Sequence, residues 1–161
     1  MIIKDKMSFG FHNKIAKKIS RMKAKGGANI CVLMDAEEEV KNINQIIEHI
    51  DNINEYVVTD RDGFLMHECE KDFDIIITDI EFNGIIYSTF VTQIRSFLPN
   101  AKIIVLTRLE NDYYRKSAMN CCANFFFHFG IENSLLETVI QIMVKKSKSS
   151  MPDEPQLNLP K

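Results

Sequence analysis

Three polar side chains that could bind a cation or accept a phosphoryl group stand directly after apolar runs of the sequence. They are Asp35 after residues 30–34, Asp79 after residues 75–78, and Thr107 after residues 103–106. Two neighbouring carboxylates repel unless a proton or a cation lies between them, and Mg²⁺ prefers such oxygen ligands. A carboxylate can also accept a phosphoryl group as a nucleophile, and a threonine hydroxyl can hydrogen-bond the resulting oxyanion. The alternative is that each acid only caps the helix that follows it.

A fourth apolar run, Phe125–Phe129, ends before Gly130 and brings no charged side chain. Continuous apolar runs of this length are typical of strands that helices cover on both faces of a parallel sheet. Ligands of such sheets bind beyond the carboxyl ends of the strands. We therefore expect Asp35, Asp79 and Thr107 to meet at one end of the sheet.

The spacing of the apolar residues predicts strands that alternate with helices. The predicted strands are 29–34, 55–59, 75–78, 102–106 and 124–128, and the predicted helices are 37–50, 63–70, 85–97, 112–122 and 133–144. Parallel strands joined in this way need right-handed crossovers. The pattern predicts an α/β fold, a doubly wound (βα)₅ parallel sheet with the strand order 2-1-3-4-5.

Charge divides the chain of 161 residues into unequal parts. Residues 1–29 hold eight Lys or Arg and one Asp, whereas residues 30–144 hold 8 basic and 19 acidic side chains. The predicted parts are a basic amphipathic arm over 1–28, helical over 8–25, a compact domain over 29–145, and a polar linker or tail over 146–161. The arm has three open interpretations: packing on the domain, binding a partner or second copy, or binding nucleic acid or an anionic membrane surface.

Cellular location is predicted to be cytoplasmic. No apolar run reaches the roughly 18–20 residues that span a bilayer. The first residues lack the apolar segment of a secretory signal. The four cysteines show no CxxC spacing, so we expect free thiols in a reducing compartment.

Three stretches carry a resemblance to a known family: DIEFNG from Asp79, IIVLT ending at Thr107, and CANFFF around the last strand. Over residues 29–145 the chain resembles the CheY-like receiver domain of bacterial response regulators, and its spacing is most similar to receivers of LuxR-type transcriptional regulators. The resemblance implies that Asp79 is the phosphoacceptor and that Asp35 belongs to the acidic pocket. It also implies that Thr107 and Phe126 form the switch pair, in a two-component signalling module that is not an enzyme.

The sequence departs from the receiver pattern within this pocket. Ala36 replaces the second acid, and substitution by Glu37 or Glu38 is left open. Phe129 replaces the family's lysine, Asn83 replaces its proline, and no Lys or Arg occurs over 117–144. Such a lysine contributes a charge-assisted bond of roughly 1.5–3 kcal/mol to a bound phosphoryl group.

These departures predict a degenerate receiver that is little phosphorylated and has no resident cofactor, and any weak Mg²⁺ site would be formed by Asp35 and Asp79. The alternative is a phosphorylatable receiver in which Asp79 controls dimerisation and DNA binding. A flavodoxin-like protein shares the strand order but needs a phosphate loop rich in Gly, Ser or Thr. The DAEEE loop that begins at Asp35 repels phosphate, which argues against that class.

A receiver without a phosphate switch has to act by association, so we expect a homodimer or a complex with another regulator. The interface candidates are Tyr113, Tyr114, Phe127 and Phe129, and simple burial is the alternative for each. His128 is expected to be structural. The stretch QLNLPK resembles linkers that lead into a helix-turn-helix domain, and DNA binding is expected only through such a domain beyond Lys161.

Overall fold

The structure, a computed structural model, describes residues 18–19, 26–68, 71–82, 85–86, 88–108 and 112–147. Its strands are β1 (Lys18–Ile19), β2 (Ala28–Leu33), β3 (Ile53–Thr59), β4 (Ile75–Asp79), β5 (Glu81–Phe82), β6 (Ile85–Ile86), β7 (Lys102–Thr107) and β8 (Phe125–His128). Its helices are α1 (Glu37–Glu48), α2 (Arg61–Gly63), α3 (Ser88–Phe97), α4 (Asp112–Asn120) and α5 (Asn133–Ser147). A π-helical segment, Phe64–Glu68, continues α2.

The main sheet has the strand order β1-β3-β2-β4-β7-β8, and β2, β3, β4, β7 and β8 run parallel. These strands have the predicted order 2-1-3-4-5, so the doubly wound α/β fold is confirmed. Leu33 pairs with Thr78, and Asp79 pairs with Leu106. This register brings the carboxyl ends of β2, β4 and β7 to the same end of the sheet, where the predicted site residues stand.

Both faces of the sheet are covered, because successive strand residues point to opposite faces. Ile30 and Val32 belong to a buried cluster that includes residues of α1 and α5. Cys31 and Leu33 belong to a second cluster, which includes Phe64 and residues of α3. Burial of each such aliphatic side chain stabilises the fold by roughly 1.5–3 kcal/mol. The two-sided burial explains why the strands are continuous apolar runs in the sequence.

The predicted arm and the predicted tail differ from the structure. Lys18 and Ile19, expected in a helix, lie in β1 and pair antiparallel with Val57 and Tyr56 of β3. The open edge of β3 offers backbone hydrogen bonds at this point, and these outweigh the helical spacing of the arm. Residues 1–17, 20–25 and 148–161 lie outside the described residues. The linker or tail was predicted to begin at residue 146, but α5 continues to Ser147, so it begins later than predicted.

The helix predicted over 85–97 begins later in the structure. Residues 85–86 form β6, which pairs antiparallel with β5, and α3 starts only at Ser88. Residues 85–86 are isoleucines, whose branched side chains suit a strand as well as a helix, so the apolar spacing alone did not separate the two structures. Within the described part of the chain, no helix is long and apolar enough to cross a membrane.

Arg95 ties the end of α3 to the start of β8. Its guanidinium donates to the carbonyl oxygens of Pro99 at 2.9 Å and Ala101 at 2.6 Å. The same group donates to the Cys122 carbonyl at 3.0 Å and to Asn124 Oδ1 at 2.8 Å. Five planar donors allow one side chain to serve two loops at once. The loops before β7 and β8 are thereby held together.

Candidate functional site

A cavity of about 350 Å³ opens at the carboxyl ends of the central strands. Its apolar lining includes Met34, Leu106 and Phe129. The polar side chains on it are Asp35, Glu39, Asp79, Glu81, Thr107 and Arg108. The structure thus brings Asp35, Asp79 and Thr107 to one cavity, together with Phe129.

Asp79 is the last residue of β4, the strand between β2 and β7. Burial raises the pKa of its carboxyl group to about 7, and the negative charges of Glu39, Asp35 and Glu81 act in the same direction. The positive charge of Arg61 opposes them. Near neutral pH the Asp79 carboxyl is therefore about half protonated, which weakens it as a nucleophile.

Arg61 is held on the other side of the sheet from α1. Its guanidinium lies over the ring of Phe90 in α3, 4.8 Å from the ring centroid. A cation over an aromatic face is stabilised by the negative charge of that face. Arg61 is thus a fixed positive charge in the neighbourhood of Asp79.

Asp35 and Thr107 flank Asp79 from the two neighbouring strands. Asp35 follows β2 and is exposed, whereas Thr107 ends β7 and is buried, with 4% of its surface exposed. The backbone N–H of Phe129 donates to the Thr107 carbonyl oxygen at 2.8 Å. This bond extends the pairing of β7 and β8 past His128 and fixes Phe129 at the rim of the cavity.

Glu39, rather than Glu37 or Glu38, is the α1 acid that lines the cavity. It lies in the first helical turn and is buried. Burial raises the pKa of Glu39, with smaller contributions from Glu81 and Glu38, although the charge of Arg108 opposes the shift. Glu39 shares the first turn of α1 with Glu37 and Glu38, and the local sequence does not distinguish these three acids.

Arg108 supplies a cation that the sequence prediction did not include. Its Nε lies 2.5 Å from Glu39 Oε1, and one terminal nitrogen lies 3.8 Å from Glu38 Oε2. Its guanidinium carbon lies 5.7 Å from the centroid of the Phe129 ring. No Lys or Arg occurs over residues 117–144, around the last strand, whereas this cation follows β7, the strand beside β8.

The remaining predicted residues have different positions. Phe127 is buried, with 5% of its surface exposed, in the cluster of α1 and α5. Its selection as an interface residue is wrong for this fold, because alternation along β8 directs it inward. Phe126 is buried on the opposite face, and its ring meets that of His128 edge-on at 5.7 Å. Tyr113 is 67% exposed. The side chain of Tyr114 lies outside the described residues.

Mg²⁺ is the metal ion that oxygen donors such as those of this cavity would hold. In the described ranges, no group of three or more His, Cys, Asp or Glu side chains is arranged to hold a metal ion. One potential donor, Glu39, is already engaged by Arg108. The donor set therefore does not fit a metal ion in this arrangement.

Comparison with solved structures places the fold. The receiver domain of RcsB from Salmonella enterica serovar Typhimurium, in the presence of phosphomimetic BeF3⁻, superposes with a TM-score of 0.65 at 19% identity, over 76% of this chain and 91% of that one. A response regulator from Thermotoga maritima gives a TM-score of 0.63 at 13% identity, over 74% and 98%. A chemotaxis response regulator of Vibrio cholerae gives 0.60 at 17% identity, over 73% and 98%.

The chain has the fold of a response-regulator receiver domain. No family model matches the sequence. No curated protein matches it either.

Proposed function

We propose that this chain is an atypical receiver domain that acts by protein–protein association, with little or no phosphorylation of Asp79. The observation that carries the proposal is the state of Arg108. Its guanidinium is already occupied by Glu39 and lies over Phe129. An incoming phosphoryl group therefore finds Arg108 already paired with Glu39, so the positive charge of Arg108 is neutralised.

The charges around Asp79 support the same proposal. Glu39, Asp35 and Glu81 all disfavour its ionisation, and burial does so most strongly. A phosphoryl group would add negative charge to this cluster. Like charges at close range in a partly buried site are destabilising, so the pocket in this arrangement opposes the reaction.

Association is proposed through the surface formed by α4, β8 and α5, where large apolar side chains are exposed. The exposed side chains there are Tyr113, Met119, Phe125, Ile131, Leu135 and Ile142. Leu135 and Ile142 are seven residues apart and therefore share one stripe of α5. Such a patch suits a second copy of the chain or another regulator, in the signalling role that the receiver fold serves in its structural neighbours.

The second candidate is a working phosphorylatable receiver that controls dimerisation and, through a further domain, DNA binding. It is favoured by the common cavity of Asp35, Asp79 and Thr107. The two candidates differ in one measurable property, which is the yield of aspartyl phosphate.

The deciding measurement is the intact mass of the chain after incubation with acetyl phosphate and Mg²⁺. We expect almost all of the protein to keep its original mass, while a phosphorylatable receiver treated in parallel gains one phosphoryl group. A substantial phosphorylated species that disappears in Asp79→Asn would overturn the proposal in favour of the second candidate.

A further inference from the structure

We propose that Glu39 keeps anions out of the Asp79 pocket by pairing with Arg108. The positive charge of Arg108 lies at the pocket but is masked by the Glu39 carboxylate. The inference rests on the proposed function, since it explains why Asp79 is little phosphorylated. It assigns Glu39 and Arg108 as positioning residues that decide which ligand charge the cavity accepts.

The contact between the two side chains is short and sheltered. Arg108 Nε lies 2.5 Å from Glu39 Oε1, a distance at which a charge-assisted hydrogen bond is strong. The Glu39 side chain is 12% exposed, whereas the Arg108 side chain is 53% exposed. The carboxylate is thus the fixed partner, and the guanidinium is the one with room to change position.

Phe129 completes the arrangement from the neighbouring strand end. Its ring lies under the guanidinium, 5.7 Å from ring centroid to guanidinium carbon. A planar cation gains both electrostatic and packing contact from such a face, which a water-exposed arginine lacks. Glu39 and Phe129 together therefore hold Arg108 at the rim instead of leaving it free to face Asp79.

Glu38 is a poor alternative for the same role. Its carboxylate lies 3.8 Å from a terminal nitrogen of Arg108, and its side chain is 81% exposed. Exposed ion pairs of this kind contribute little, because water screens the charges and both side chains must be ordered. Neutralisation of Glu39, and not of Glu38, should release the cation.

Release of Arg108 has a chemical consequence at Asp79. In the reaction with acetyl phosphate, an ionised oxygen of Asp79 attacks phosphorus, the bond from phosphorus to the acetate oxygen breaks, and acetate leaves with the electron pair. A free guanidinium can hydrogen-bond the transferred phosphoryl oxygens. A bond of this kind predicts a rise in aspartyl phosphate of roughly ten- to a hundredfold.

The test measures aspartyl phosphate by intact mass, with Mg²⁺ and acetyl phosphate, in Glu39→Gln and Glu39→Met. Both variants retain the length of the side chain, and the uncharged methionine sulfur is only a weak acceptor for the guanidinium. The measurement is made about one unit above the pKa of about 7 for Asp79, so that most of this carboxyl is ionised in the wild type. Circular dichroism and thermal unfolding select the variant that retains the fold. Glu37→Gln, the same charge change in the same helical turn but off the cavity, is the matched control.

We expect the tenfold or larger rise in a Glu39 variant, its loss in the double variant with Arg108→Ala, and wild-type behaviour in Glu37→Gln. An unphosphorylated wild type with no rise in a folded Glu39 variant overturns this inference and leaves the proposed function intact. An equal rise with and without Arg108 also overturns it, because the gain then comes only from removing a negative charge. High phosphorylation of the wild type itself overturns the proposed function and the masking together.

Discussion

At the scale of single residues, the position of Asp79 makes its ionisation unfavourable. Its folded-state pKa of about 7 lies above the ordinary value of 3.8, so the folded chain binds this proton more tightly than the unfolded chain. The carboxyl group therefore favours folding below about pH 4, and this contribution is lost as pH rises through about 7. The direction is opposite to that of a carboxylate in a salt bridge.

We expect Asp79→Asn to raise the free energy of unfolding by roughly 1–3 kcal/mol near pH 8 and to change it little near pH 4. The amide retains the shape of the side chain but carries no charge, which relieves the repulsion from Glu39, Asp35 and Glu81. Urea unfolding at both pH values measures the difference. Asp51→Asn, at an exposed position, is the control and should show no such pH dependence. Equal stability of Asp79→Asn and wild type near pH 8 would contradict the pKa assigned to Asp79.

The sequence was sufficient to predict Asp35, Asp79 and Thr107 at one site, because each follows a short continuous apolar run typical of a buried parallel strand. It was not sufficient for Glu39 and Arg108. Selection of Glu39 over its two neighbours depends on the rotation of α1 about its axis. The proximity of Arg108 to Phe129 depends on the register in which β7 pairs with β8, which the predicted strand order does not contain.

At the scale of secondary-structure elements, the same distinction applies. The strands were predicted to within a few residues, since burial on both faces leaves continuous apolar runs. The residues placed wrongly, Lys18, Ile19 and Ile85–Ile86, lie in short antiparallel pairs whose partners decide their conformation. The helical spacing of apolar residues does not reveal whether a strand elsewhere in the fold has an unpaired edge.

Arg95 gives a prediction about the connections between elements. Its guanidinium donates to two loops, and the acceptors of these bonds are uncharged oxygens. Arg95→Lys should lower the free energy of unfolding by roughly 1–3 kcal/mol, because a single ammonium cannot span both loops. The exposed Arg115→Lys on α4 is the matched control and should stay within about 0.5 kcal/mol of wild type. Chemical unfolding of both variants makes the comparison, and equal values would show that the loops are held by other contacts.

At the scale of the whole molecule, the distribution of exposed apolar surface predicts how the domain associates. Leu135 and Ile142 on α5 are 52% and 48% exposed, and Met66, in the π-helical segment after α2, is 76% exposed. Leu135→Glu or Ile142→Glu should shift sedimentation toward the monomer, because a charge at an apolar interface is desolvated without a partner. Met66→Glu, a similar change outside the α4–β8–α5 surface, should leave sedimentation unchanged.

Two results would contradict this placement of the interface. The first is equal dissociation by Met66→Glu and by the α5 variants. The second is a wild type that sediments as a monomer and binds no regulator through α5. Binding of a regulator that Leu135→Glu abolishes would instead identify the partner as a different protein on the same surface.

The stacking of Arg108 on Phe129 also has an evolutionary consequence. An aromatic ring accepts a guanidinium over its face, whereas a lysine at the same place would bring a second positive charge against it. Positions 108 and 129 together thus accommodate one cation, which can stand after β7 or after β8. When evolution moves the cation between positions 108 and 129 by single substitutions, the intermediate sequence has a cation at both positions or at neither. Among related chains these two positions are therefore expected to covary.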